Sequence, residues 1–456
     1  MNEHGWWSLP NSINDASQTR RAFLAGLGAI VSVGALVRCG SDESSIESPV
    51  ASDGGGSRRW RPALPAAEPL MRVRVLRTGG PGAQAVIGTA TQWLALETAS
   101  TDGTETVLRG PVIVRLDKLR WSVTDANGLR AAVDAFEPFE MASLTADERD
   151  LLVGKRVYPG RLRLIARGDA GRDGFDVISL VPMETYLPGV VSAELFSHWR
   201  PATRAAQAIA ARSFAASEHA WFGGRREWDV TGTAHSQVYD GRVEDAPSHE
   251  AVEATRGVVL GYDGQLVPGY YSSCCGGTAA SAIDAIGTSP VNDVPPLAGR
   301  VGQDVCTDAK VARWTIDRSL GRLTRRFGAW GRHRGRQDVA DLAELAAIEV
   351  LTRNDHGRPT RYRVTDVAAQ QVELSAEHLR AAANFSGASL EAPRQRLWSS
   401  HVSVTIRKDT AGFAGRGFGH GVGMCQYGAE SLARAGTDHQ DILEWYYPGA
   451  DIVKSY

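Results

Sequence analysis

The sequence predicts an α+β protein in which a β-rich N-terminal lobe packs on a mixed α/β lobe. Three observations carry this prediction. Short runs between Met71 and Val181 alternate apolar and polar residues at the period of a half-buried strand. From Pro182 onward the apolar spacing becomes helical. The chain of 456 residues is also too long for one ordinary core. Its 43% hydrophobic and 22% charged composition is that of a globular protein, and 49 glycines point to many turns. A net charge of −2 provides no polyanion-binding signature, so nucleic acid is not an expected partner.

The first segment reads as an address. Thr19-Arg20-Arg21-Ala22-Phe23-Leu24 precedes an apolar run from Ala25 to Val37. That run falls short of the roughly 20 residues of a membrane span and has the length of a signal h-region. The paired arginines resemble a twin-arginine export signal. Residues 1–39 are therefore expected to be a leader, and the chain to be exported to the periplasm or cell envelope. Cys39 is where a lipid anchor would attach, although Arg38 stands where such a site has a small residue. Leader and anchor are the only expected membrane attachments. Residues 40–66, rich in Ser, Glu, Asp, Gly and Pro, read as a disordered tether.

Residues 67–175 form the β-rich part, with strands expected at Met71–Leu76, Val112–Leu116, Gly160–Ala166 and Phe175–Val181. A core segment, 176–309, follows. Within it, Met183 to Phe196 is apolar at helical spacing, and Pro201 suits the first turn of an alanine-dense helix over Ala202–Ala220. Ala202, Ala205, Ala206, Ile209, Ser213 and Ala216 share one face of that helix, small enough for a close neighbour. Arg212 borders this seam, and a buried guanidinium there requires an acidic or carbonyl partner. Strands are expected at Val258–Tyr262 and Val267–Tyr271. Residues 310–395 read as an inserted α/β region, with a helix at Val339–Ala346 and strands at Ala347–Arg353, Tyr362–Val367 and Gln371–Leu374. The last segment, 396–456, holds helices at Gln426–Ala435 and Gln440–Tyr446.

That last segment also contains five glycines at alternating positions from Gly415 to Gly423, surrounding Arg416 and His420 and followed by Gln426. Such a run cannot pack as a strand and suits a backbone that turns tightly or approaches something closely. It is similar to a phosphate loop in glycine content but lacks the Lys-Ser/Thr of one. Besides Cys39 there are four cysteines, Cys274, Cys275, Cys306 and Cys425. Their spacing does not fix a pairing, and it is not of zinc-finger type.

Five ordered motifs together resemble the SpoIID/LytB family, the stage II sporulation protein D and amidase-enhancer proteins. They are Val181 to Glu194, Gln207 to Phe214, His235-Ser236-Gln237-Val238-Tyr239, Tyr270 to Thr278, and the glycine loop with its trailing Tyr446-Tyr447-Pro448-Gly449. The resemblance covers roughly residues 70–456 and implies a SpoIID-type lobe, a glycan-binding groove between the lobes, and peptidoglycan glycan strands as substrate. It also implies that Glu194 is the acid of a lytic transglycosylase. In that chemistry one carboxyl group protonates the leaving oxygen and then deprotonates the C6 hydroxyl, closing a 1,6-anhydro ring without water. A hydrolase would need a second carboxylate, for which Glu184 and Asp284 are the candidates. The alternative that the family implies is a glycan-binding module that stimulates a cell-wall amidase, its protein partner.

The expected groove contacts are Arg212 (or, instead, a carboxylate-holding role for it), His235, Gln237, Tyr239 (or, equally, a core role for it), Tyr271, Ser273, Arg416, His420 (as a hydrogen-bond donor or a second acid/base) and Gln426. The glycines of the loop would let the main chain approach flat sugar rings. No cofactor is expected. Zinc-binding members use a His/Cys cluster ending in His-Cys-Gln, whereas here the pair is His235-Ser236, with Val230 and Gly224 at upstream ligand positions. The resemblance further implies a Cys275–Cys306 disulfide, leaving Cys274 and Cys425 as free thiols or a second bridge.

Overall fold

The computed structural model describes residues 61–456 apart from 81, 99–104, 135–136, 170–171, 301–303 and 388. The expected leader, the Cys39 anchor and most of the tether lie outside the described residues. No helix among the described residues is long and apolar enough to cross a membrane.

The architecture is α+β, with two large sheets that are antiparallel except where the short edge strand Val230–Thr231 runs parallel to Leu70–Arg77. One has seven strands and is built outward from Leu70–Arg77, Arg172–Pro182 and Arg161–Asp169. The other has six, including Ala83–Ile87 and Val112–Asp117. The alternation that predicted the strands is the alternation that buries them. Val112, Val114 and Leu116 are buried, while Arg115 and Asp117 point outward. Both sheets turn their apolar faces into one core with Val73, Leu94, Leu164 and Val177. Each such side chain, fully buried, contributes about 1.5–3 kcal/mol.

Strand Arg172–Pro182 runs without a break into helix α1 (Met183–Glu194), which is followed by α2 (Pro201–Phe222). Pro201 occupies the first turn of α2, where a missing N–H costs nothing. The small-residue seam does bring a neighbour close: a Cβ on Gly269 would lie 2.2 Å from the Ala210 carbonyl oxygen. Helix α3 (Gln426–Arg434) packs against α2. A separate core around Leu323, Phe327, Tyr362 and Phe413 serves the region after residue 310.

Several expectations are corrected. The 310–395 segment does not stop at 395, because its first strand, Arg313–Ser319, pairs with Thr410–Arg416 in the same core. The helix expected at Val339–Ala346 is a single turn, Gln337–Ala340, and Leu345 already begins a strand. Helices Leu320–His333 and Ala376–Asn384 were not expected. Val267–Tyr271 is not a strand; the ladder positions are Gln265–Leu266 and Tyr271–Ser272. The end of the tether is ordered: the Pro62 carbonyl accepts the Leu266 N–H at 2.8 Å, and Arg61 pairs with Asp263.

Candidate functional site

Glu194 is the last residue of α1, and only 9% of it is exposed. A carboxylate at a helix C-terminus faces the negative end of the helix dipole, an arrangement unfavourable by about 0.3–1 kcal/mol. The last turn of α1 holds no basic residue to offset it. The offset comes from two donors supplied by distant segments. The Val238 N–H reaches Oε1 at 3.2 Å, and the Gln426 side-chain amide reaches Oε2 at 3.3 Å. The same Gln426 nitrogen lies 3.2 Å from Oε1 of Gln207 on α2. Three sequence motifs therefore converge on one carboxylate. Gln207 was not expected at the site, and the signal for it was an uncharged polar side chain opening the Gln207–Phe214 motif in an alanine-dense helix.

Around this point stands an aromatic group that sequence reasoning also missed. Phe196 and Tyr427, both half-buried, approach to 6.4 Å between ring centroids, and Trp199 meets Tyr427 edge-on at 5.2 Å. Just beyond the end of α1 lies an open cavity of about 230 Å³, lined by Ser192, Leu195, Ser197, Val243, Glu244 and Asp245. Glu194 is not among its lining residues.

Arg212 takes the carboxylate-holding role. It is fully buried and grips Glu184 with two bonds, Nε to Oε1 at 2.8 Å and Nη2 to Oε2 at 2.7 Å. Glu184 also accepts the Tyr456 hydroxyl at 2.6 Å and the Gly257 N–H at 3.2 Å. Burial raises the Glu184 pKa, but Arg212 and these donors outweigh it and hold the carboxyl below its ordinary value. The second-carboxylate candidates are thus both engaged elsewhere, since Asp284 is exposed and bonded to Ser281 at 2.6 Å.

Gln237 and Tyr239 are likewise internal. Gln237 is fully buried, accepts from Tyr186 at 3.0 Å, and donates to the Ala211 carbonyl and to the Tyr271 hydroxyl. Tyr239 is a core residue whose ring packs 4.7 Å from that of Tyr186. What these two residues do is position the chain so that Val238, between them, presents its N–H to Glu194. Tyr271 is half-buried, Ser273 is buried, and His235 is exposed on the loop leading to Gln237. Arg416 is exposed at the end of strand Thr410–Arg416, opposite Arg313.

The glycine loop packs on protein. Gly417, Gly419, Gly421 and Gly423 all have positive φ. A Cβ on each would meet, in turn, the Cys274 carbonyl oxygen at 2.5 Å, Ser272 at 2.7 Å, the Arg358 guanidinium at 2.7 Å and the Tyr270 carbonyl oxygen at 2.1 Å. The expected approach to sugar rings is corrected: the glycines let the loop lie against residues 270–276. His420 sits within this packing. Desolvation pushes its imidazole down to about 4, so it is neutral near pH 7, and its Nδ1 accepts the Val422 N–H at 3.0 Å.

The implied Cys275–Cys306 pairing is not formed in this structure. Cys275 and Cys306 are neighbours, but their sulfurs are 3.5 Å apart, whereas a bond needs about 2.05 Å. All four cysteines of the described residues are buried free thiols.

Comparison with known proteins agrees with the site's sequence. Residues 171–262, which include Glu194, match the family described as SpoIID, stage II sporulation protein. An uncharacterised protein of Brachyspira hyodysenteriae is 30% identical over 301 residues, covering 65% of this chain and 72% of its own length. The stage II sporulation protein D of Bacillus subtilis is 26% identical over 290 residues, covering 60% of this chain and 75% of its own. The amidase enhancer of Bacillus subtilis is 27% identical over 300 residues, 59% of this chain, but the match spans only 40% of that relative.

Proposed function

The chain belongs to the SpoIID/LytB-type family, and from that premise we propose that it cleaves peptidoglycan glycan strands as a lytic transglycosylase of the cell envelope. Glu194 is the acid and base. It protonates the glycosidic oxygen as the bond to C1 breaks, then takes the proton of the C6 hydroxyl as that oxygen closes on C1. No water is consumed, and the products end in 1,6-anhydro rings. The observation that carries this reading is the single carboxylate at the end of α1, held by donors from two distant motifs, while Glu184 and Asp284 are occupied elsewhere. Phe196 and Tyr427, beside it, offer faces on which a sugar ring stacks. Export through the leader, and attachment at Cys39, belong to the same proposal.

One observation favours a second reading, a non-catalytic glycan-binding module that stimulates an amidase. Both Glu194 oxygens are already bonded to protein donors, which suits a structural carboxylate. Incubating the chain and its Glu194→Gln variant with peptide-free glycan strands separates the two. Anhydro-ended fragments lost in the variant support the transglycosylase. Strand binding with intact strands in both samples supports the module.

A further inference from the structure

The four buried cysteines fall into one knot, although they come from three separated stretches of chain. Sulfur atoms of Cys275, Cys306 and Cys425 and a carboxylate oxygen of Asp304 all lie within 4.8 Å of one another. The Cys274 thiol lies beside those of Cys306 and Cys425. These cysteines are at most 2% exposed, and Asp304 is 6% exposed.

The arrangement is convergent and not pairwise. Two disulfides would sort the sulfurs into couples, whereas here Cys306 faces three other thiols. Ligand atoms around one zinc-sized ion, bound at about 2.3 Å, stand roughly 3.8 Å apart in a tetrahedron and at most about 4.6 Å. The Cys275–Cys306 separation of 3.5 Å is that of two ligands of one ion, and the four ligand atoms, all within 4.8 Å of one another, need only small side-chain adjustments to close on it. Main-chain donors already point at the sulfurs, as they do around thiolate ligands. The Cys275 N–H lies 3.3 Å from Cys425 Sγ, and the Gly277 N–H is directed at Cys306. Asp304 is fixed in turn by the Cys306 N–H at 3.2 Å and the Tyr446 hydroxyl at 3.1 Å.

We propose that Cys275, Cys306, Cys425 and Asp304 bind one thiophilic divalent cation of the zinc class, with the Cys274 thiol next in reach. Soft thiolate ligands select such an ion, and each ligating thiol gives up its proton on binding. Because the knot is buried, the ion enters as the chain folds. Its effect on the molecule is mechanical. Cys425 immediately precedes Gln426, and Cys275 belongs to the segment on which the glycine loop lies. The ion clamps together the two elements that bring Gln426 to Glu194, whether or not Glu194 is a catalyst.

The test is metal content and thiol state of the full chain, produced in a reducing cytoplasm with zinc supplied. About one zinc per chain is expected, retained in chelator until the protein unfolds. In the native protein only the Cys39 thiol should react with a thiol reagent, and the other four should react after unfolding in chelator. Refolding with cobalt(II) should produce a thiolate-to-cobalt charge-transfer absorption, a readout that needs no variant. Cys306→Ser should lose the ion, and Asp304→Asn should bind it about 10–100-fold more weakly. Metal-free protein four hydrogens lighter, carrying two disulfides, overturns the proposal. So does metal-free protein with all thiols free, or cobalt refolding without the charge-transfer band.

Discussion

Glu194 and Arg212 lie on consecutive helices, and their burial gives them opposite roles. The Glu194 carboxylate ends a helix in an electrostatically poor position and is held by one main-chain N–H and one side-chain amide. Replacing Glu194 by Gln should leave the fold intact and lower glycan-strand cleavage by about 10²–10⁴-fold, read as fragment yield per hour. Arg212 is locked to Glu184, which also accepts the Tyr456 hydroxyl, and to the Val258 and Val252 carbonyls. Removing one partner of a buried pair costs about 3–5 kcal/mol because it strands the other charge. Arg212→Met should therefore lose about that much stability in denaturant titration, while Arg212→Met with Glu184→Leu regains most of it. Equal losses in the single and double variants would contradict the pairing. The place of Glu194 at the end of α1 was legible in the helical spacing of its apolar motif, and the need of Arg212 for an acidic partner in the small-residue seam beside it. That the partner is Glu184, and that Gln237 faces inward, was not, because polarity within a motif looks the same whether it faces substrate or another part of the chain. Glu184 lies 28 residues from Arg212, and Tyr456 lies 272 from Glu184, so no local period connects them.

At the level of elements, the glycine loop is the clearest case of correct pattern and wrong neighbour. Alternating glycines announced close approach, but not that the approaching partner is the 270–276 main chain. Gly423→Ala would set a Cβ 2.1 Å from the Tyr270 carbonyl at a φ of +63°. Gly449→Ala meets nothing within 4 Å at a φ of +77°. The Gly449 variant should lose only the conformational cost of about 1–2 kcal/mol, and the Gly423 variant clearly more, compared by thermal melting. Comparable losses would mean that the loop can move off its neighbour. Strands were readable wherever one face is buried, as at Val112–Asp117. The failure at Val339–Ala346 has a physical cause. Asp338 pairs with Arg336 at the first turn, and the chain must then extend from Leu345 to pair with Asp366 and its neighbours. Tertiary pairing overrides a short helical pattern.

Across the whole molecule, buried ionisable groups move stability in both directions as pH falls: the Glu218 and Asp304 carboxyls, pushed by burial up to about 7 and about 6, favour acid, while two buried histidines oppose it. Burial drives His420 to about 4 and His401 to about 3. The unfolded chain takes up these protons near pH 6.5, so the histidines' contribution is complete above that pH and declines as pH falls toward their folded values. The Glu184 carboxyl, held below its ordinary value of 4.5, adds a further loss beneath that pH. Glu218 and Asp304 offset part of the histidines' loss over the same range, so the histidine contribution is read by comparison: in urea titrations the change in unfolding free energy from about pH 7 to about pH 5 should be more favourable in His420→Asn than in the unaltered protein. An equal change in both would contradict the desolvation of the His420 ring.

The most direct measurement of the central claim is the mass of the ends produced from peptide-free glycan strands by the full chain and by Glu194→Gln. The account predicts 1,6-anhydro ends, each one water lighter than a reducing end, from the unaltered protein and none from the variant. Reducing ends from both proteins, or strands left whole by both, would contradict Glu194 as the single acid and base.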